Sequence, residues 1–178
     1  MFGDYRHAPQ AGGRLVIKRR WFRWSLLPLL GFCVVWDGFL VVWYSAVFVG
    51  GAPTVAALFP LLHVAVGIGL TYSTVAGLLN TTTLQVGEGT LSVHHGPLPW
   101  VGNRVLPTDD IRQLYTERSV SGGKSKKETF TVHAIVGTGP TISVVSRLEE
   151  ITQALYIEKE VERHLGIVDE RVPGAVDS

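Results

Sequence analysis

Across residues 24–79 the single charged side chain is Asp37. The two apolar runs in this stretch, residues 24–49 and 55–79, are each about 25 residues long, roughly 37 Å of helix against a hydrocarbon core of about 30 Å. A water-soluble helix is seldom apolar on every face. Only Gly50-Gly51-Ala52-Pro53-Thr54 separates the runs, an uncharged breaker that turns the chain and holds no domain. The expectation is two transmembrane helices in an antiparallel hairpin. A cleaved signal peptide does not fit, because the first run is too long, follows a polar segment and lacks a small-residue cleavage site.

The formal net charge of +1 over 178 residues conceals a strong asymmetry. Residues 1–23 carry Arg6, Arg14, Lys18, Arg19, Arg20 and Arg23 against Asp4, whereas residues 80–178 are net acidic. The positive-inside rule keeps the basic lead-in cytoplasmic. An even number of crossings then places both termini in the cytoplasm, in a multi-pass protein of the cell (inner) membrane. Trp21, Phe22 and Trp24 at one end, with Trp43 and Tyr44 toward the other, read as interfacial anchors.

Within the second span Ala65, Gly69, Ser73 and Gly77 recur every fourth residue, a small-residue stripe against which another helix packs closely. The tethered first span is the favoured partner and a second copy, in a homo-oligomer, the other. Asp37, mid-span, must face protein or water, and His63 is the nearest ionisable group on the second helix. Their levels differ by roughly 6 Å, within side-chain reach. Together they form either an intramembrane polar contact, the favoured reading, or a proton or ion relay in an oligomer.

Polar alternation begins at Asn80. TTTLQV and TLSVH around Gly87-Glu88-Gly89 predict a hairpin, with further strands at residues 103–106, 111–117, 129–136 and 141–145. Residues 97–110 are irregular. Ser146 with Glu149 makes a capping-box pattern ahead of an amphipathic helix that ends at Gly166. The organisation is therefore a basic N-terminal segment (1–23), the hairpin (24–79), an α+β, mainly-β domain (80–166) and a flexible tail (167–178).

KRRWFRW, two spans, TTTLQVGEGTLSVHHG, IRQLYTER, KKETFTVHAIV with TISVV, and LEEITQALYIEKEVERHLG follow in that order. Through this order the chain, over residues 18–166, resembles bacterial membrane proteins that carry a pleckstrin-homology-like domain directly after a transmembrane hairpin. The resemblance implies seven strands, as a small barrel or curled antiparallel sheet, closed by the C-terminal helix. It also implies that basic groups in a strand-to-strand loop meet lipid phosphates, here Lys124, Lys126 and Lys127 with Arg104, each worth about 1 kcal/mol near an anionic leaflet.

Enzyme chemistry finds no constellation. Ser121-Gly122-Gly123-Lys124-Ser125 echoes a phosphate loop, but position 118 is Arg where that motif needs Gly, and strands flank it. His94 and His95 point to opposite faces of one strand, and Cys33 is the only cysteine. No catalytic residue, metal or cofactor is expected, and no nucleic acid. The expected function is a non-enzymatic membrane protein whose cytoplasmic domain recruits or organises a protein partner and touches membrane lipids. Glu158 and Glu162 on the helix offer an acidic face to a basic partner or simply to water. The alternative is an oligomeric transport or proton-relay subunit built on Asp37 and His63.

Overall fold

Proline and heptad spacing explain the helical part of the fold. The computed structural model describes residues 13–51, 53–122, 126–137, 139, 141–168, 170 and 172–176, with Lys127 described by its backbone alone. They form two units: a helical one, Arg20–Thr81 with Gly96–Trp100, and a sheet unit from the rest.

In the helical unit α1 spans Leu26–Val49, and the return run is divided into α2, Thr54–Leu58, and α3, Leu61–Leu79. The division falls at Pro60, which has no N–H to offer the carbonyl of Ala56 four residues back. That carbonyl is satisfied across the hairpin instead, by Trp43 Nε1 at 3.2 Å, and Tyr44 OH donates to Ala57 O at 2.9 Å. Buried positions recur at seven-residue spacing on both sides of the contact, Cys33, Leu40 and Val47 on α1 and Pro60, Gly67 and Thr74 opposite, with Ala76 buried in addition. A seven-residue repeat is the signature of a narrow, coiled-coil-like seam. Much of the surface outside it is apolar and uncovered, Val35 being 72% exposed.

In the sheet unit β1 (Leu15–Arg20), β2 (Thr81–Gly87), β3 (Thr90–Gly96) and β4 (Arg104–Pro107) make one sheet in that order. A second sheet contains β5 (Ile111–Ser121), β6 (Lys127–Val136) and β7 (Thr141–Leu148), with antiparallel pairing throughout. Alternate residues of β2 are buried, as a strand with one wet face requires. Glu88 and Gly89 both take positive φ, 52° and 72°, the geometry of a two-residue hairpin turn. The helix α4 (Ile151–Leu165) closes one shared core of both sheets, in which Leu84, Leu91, Leu114, Val132, Leu148 and Val161 are fully buried.

Several expectations are revised. The sheets stay separate, so the barrel is not closed. The seventh strand comes from the basic lead-in: β1 hydrogen-bonds beside β2, so the hairpin is inserted between neighbouring strands of one sheet. Ser146 caps no helix, because β7 continues to Leu148 and α4 starts at Ile151 after Glu150, without a side-chain cap. Gly166, at φ 69°, does end it. Part of the segment expected as a loose tail pairs with β5, through a bridge between Ala175 and Glu117 and a bond from Val176 N to Thr116 O at 2.8 Å.

Candidate functional site

Asp37, Thr71, Cys33 and Thr74 meet on the seam, while Ser45 and Ser73 lie outside it, bonded to Val41 O and Gly69 O of their own helices. Asp37 Oδ2 accepts from Thr71 Oγ1 at 2.7 Å. Its other oxygen lies against Gly67, where a Cβ would come within 2.7 Å of Oδ1, so glycine is what lets the carboxylate fit between the helices. One turn along α1, Cys33 Sγ lies 3.8 Å from Thr74 Oγ1, which donates to Leu70 O. These contacts hold polar groups away from the apolar exterior, the arrangement that low-dielectric surroundings demand.

His63 does not join Asp37. No hydrogen bond or ion pair connects them among the described residues; the His63 ring packs between Trp36 and Phe59, at centroid distances of 5.7 and 6.0 Å. Trp36 Nε1 donates to the His63 carbonyl at 3.4 Å, while the buried Nδ1 of His63 has no partner. A search among ionisable residues alone misses the partner of Asp37; the sequence signal is Thr71, a hydroxyl four residues from a glycine in an apolar run.

The stripe also lies elsewhere than the favoured packing requires. Ala65, Gly69 and Ser73 are exposed, a Cβ on Gly69 would meet nothing within 4 Å, and Ser73 Oγ turns back to Gly69 O. Gly77 alone approaches α1, at Leu26. Close approach within the hairpin falls on Gly67 and Gly77, with Thr74 buried between them.

In the sheet unit Lys124 lies outside the described residues, as does the side chain of Lys127; Lys126 is exposed. Arg104 is exposed on β4, in the other sheet from the β5–β6 turn. An open groove of about 510 Å3 is lined by Arg118, Glu128, Phe130, Ile151 and residues 174–176.

Glu158 and Glu162 form no exposed acidic face. They are 5% and 4% exposed and point at β5. Thr116 Oγ1 donates to Glu158 Oε2, and Glu162 Oε1 accepts from Gln113 Nε2 at 2.7 Å and Leu114 N at 3.3 Å. The i,i+4 spacing that suggested a charged stripe instead aims both carboxylates at polar positions of the strand below.

Two histidines have shifted acidity. Burial holds His133 below the usual imidazole range, against the pull of Glu117, whose Oε2 lies 3.1 Å from Nε2. Its Nδ1 is buried without a partner, so a second proton would have no acceptor. Burial, with the positive neighbours His94 and Arg19, also lowers His95, whose Nδ1 lies 2.9 Å from Thr82 Oγ1. Among the described residues no three His, Cys, Asp or Glu side chains are placed to hold a metal. No protein-family model matches the chain, and no curated protein matches it.

Proposed function

We propose that the chain is a bilayer-anchored interaction protein, whose helical hairpin crosses the membrane twice and whose sheet unit, a cytoplasmic pleckstrin-homology-like domain, recruits or organises a protein partner. The observation that carries the anchor is the inverted polarity of the hairpin. Asp37, Thr71, Cys33 and Thr74 meet on the seam, while only 11% of the most apolar window of each span is buried. Water would solvate that surface poorly and acyl chains would solvate it well. The insertion of the hairpin between β1 and β2 supports an even number of crossings, since neighbouring strands bring the entering and returning chain together. The basic lead-in supports a cytoplasmic position for those ends.

Seven strands, β1 ahead of the hairpin and six after it, with α4 at the end support the pleckstrin-homology-like reading by their number, although the resemblance has all of them after the hairpin. An interaction role suits a domain in which Glu158 with Thr116 and Glu162 with Gln113 are buried contacts between α4 and β5. For Asp37 the Thr71 bond favours a polar contact that fixes the hairpin over a relay through His63.

Topology is tested with cysteines reactive toward a membrane-impermeant maleimide, in a Cys33→Ala background. Gly51→Cys is expected to label from outside intact cells and Ser119→Cys only in inverted vesicles; the reverse pattern overturns the orientation. Crosslinking in native membranes tests recruitment: a defined protein adduct on the sheet unit is expected, and recovery of the chain with lipid alone rejects it.

A further inference from the structure

The segment Gly96–Trp100 follows β3 in sequence but belongs to the helical unit. Part of its backbone is paired within the chain. Pro97 and Pro99 have no N–H. The Leu98 N–H donates to Asn80 Oδ1 at 2.8 Å, and the Leu98 carbonyl accepts from Asn80 Nδ2 at 3.0 Å. The Pro99 carbonyl accepts from Tyr72 OH. A solvated loop can leave such groups to water; a loop in a water-poor layer must pair them.

The aromatic rings gather at the same place. Trp100 stacks on Tyr72, with centroids 6.1 Å apart and planes at 6°, and meets Trp21 edge-on at 5.3 Å. Trp21 N in turn donates to Asn80 O at 3.0 Å. Trp100 thus spans two levels of α3, that of Tyr72 and that of Asn80. Counted at about 1.5 Å per residue along the return run through α2 and α3, these lie at most roughly 22 and 34 Å from Ala57, which Tyr44 marks at the far end, so the indole falls at most roughly 28 Å from that far aromatic level. A hydrocarbon core is about 30 Å thick.

We propose that the segment Gly96–Trp100 is a lipid-contacting loop that seats the Trp100 indole at the interface of an anionic leaflet. Indole rings favour that layer because they present an apolar body and a polar N–H. Arg20 and Arg23 lie on the adjoining lead-in and supply charge complementary to anionic headgroups. Phe22 and the 65% exposed Trp24, packed edge-on at 5.3 Å, continue the aromatic surface. The loop therefore adds a third lipid contact to the two spans, and the inference rests on the reading of those spans as membrane-crossing.

The test uses the full-length chain in vesicles of phosphatidylcholine and phosphatidylglycerol, comparing wild type with Trp100→Phe, which keeps a ring on Tyr72. The emission lost in the variant is the Trp100 component. It is expected to be quenched several-fold more by lipids brominated near the headgroup than by aqueous iodide or by lipids brominated at the chain end. A component indifferent to bromolipid overturns the proposal, whether or not iodide reaches it. A nitroxide on Val35→Cys, in a Cys33→Ala background, separates the two levels of inference. If that probe is buried in acyl chains and Trp100 is not in contact with lipid, the loop contact alone fails. If the Val35 probe is open to a water-soluble relaxant, the spanning reading fails and the loop contact with it.

Discussion

Asp37 Oδ2 accepts a hydrogen bond from Thr71 Oγ1 at 2.7 Å, and through this bond, not through a link to His63, the carboxylate is tied to the other arm of the hairpin. Removing the donor and removing the charge should therefore have different consequences. Thr71→Val strands the carboxylate and is expected to weaken the hairpin by about 1–2 kcal/mol, the upper range for such bonds in membranes. Asp37→Asn keeps an acceptor oxygen for Thr71 and should leave hairpin stability within about 1 kcal/mol of wild type. Unfolding titrations in bicelles measure both. Loss of a pH-dependent ion flux in Asp37→Asn, with the hairpin intact, would instead reveal a relay.

The indole of Trp43 answers the carbonyl freed by Pro60, which predicts coupling between two residues that do not share a bond. Trp43→Phe should cost about 0.6–2 kcal/mol in the wild-type hairpin. In a Pro60→Ala background the substituted residue supplies an N–H to Ala56 O, the indole bond becomes redundant, and the cost should shrink. A double-mutant cycle on hairpin unfolding reads the coupling directly; additive effects would mean that Ala56 O does not need Trp43.

His133 and His95 both have folded-state acidities lowered by burial. Their unfolded values are near the ordinary 6.5, so below that pH the unfolded chain binds more protons than the folded one. Stability then rises with pH. The contribution is full above about pH 6.5 and is lost as pH falls toward the lower folded values. Amide exchange in β6 peptides of the full-length protein, followed from pH 7.5 down to pH 5 and corrected for intrinsic exchange rates, should show protection falling with pH. His133→Gln should flatten the profile, and a profile unchanged by both His133→Gln and His95→Gln would refute the assignment.

Buried Glu162 predicts a difference between an isostere and a hydrophobe. Glu162→Gln retains an oxygen for Leu114 N and Gln113 Nε2 and should be mildly destabilising. Glu162→Leu leaves those two donors buried without that acceptor, at about 1–3 kcal/mol each at most. Urea unfolding monitored by exchange in β5 distinguishes them.

Spacing along one element was legible in the sequence; partnership between distant elements was not. The apolar runs, the turn at Gly87-Glu88-Gly89 and the inward face of Phe130, Val132 and Ala134 follow from local periodicity, and the structure has them. Strand β1 was hidden because Lys18, Arg19 and Arg20 read as a topology signal, although Val16 and Ile17 are buried and Ile17 joins the core of the sheet unit. Glu158 and Glu162 looked solvated because charge alone says nothing about a Thr and a Gln waiting on β5. Trp100 sat among residues too irregular to assign, since its structure comes from Asn80 and Tyr72, both distant in sequence.

Two glycines on one helix should separate hairpin packing from oligomerisation. At Gly67 a Cβ meets Asp37 Oδ1 at 2.7 Å and Trp36 at 3.3 Å, so Gly67→Leu must force α1 and α3 apart. Overpacking of this kind typically costs about 1–3 kcal/mol, and the hairpin of Gly67→Leu should unfold at lower denaturant. At Gly69 the same addition meets nothing within 4 Å inside the chain. Gly69→Leu should therefore leave hairpin unfolding unchanged. If Ala65, Gly69 and Ser73 seat a second copy, crosslinked dimer in native membranes should fall in Gly69→Leu while remaining intact in Ile68→Leu on a neighbouring face. Equal dimer yields in the two variants would show that the outward stripe faces lipid.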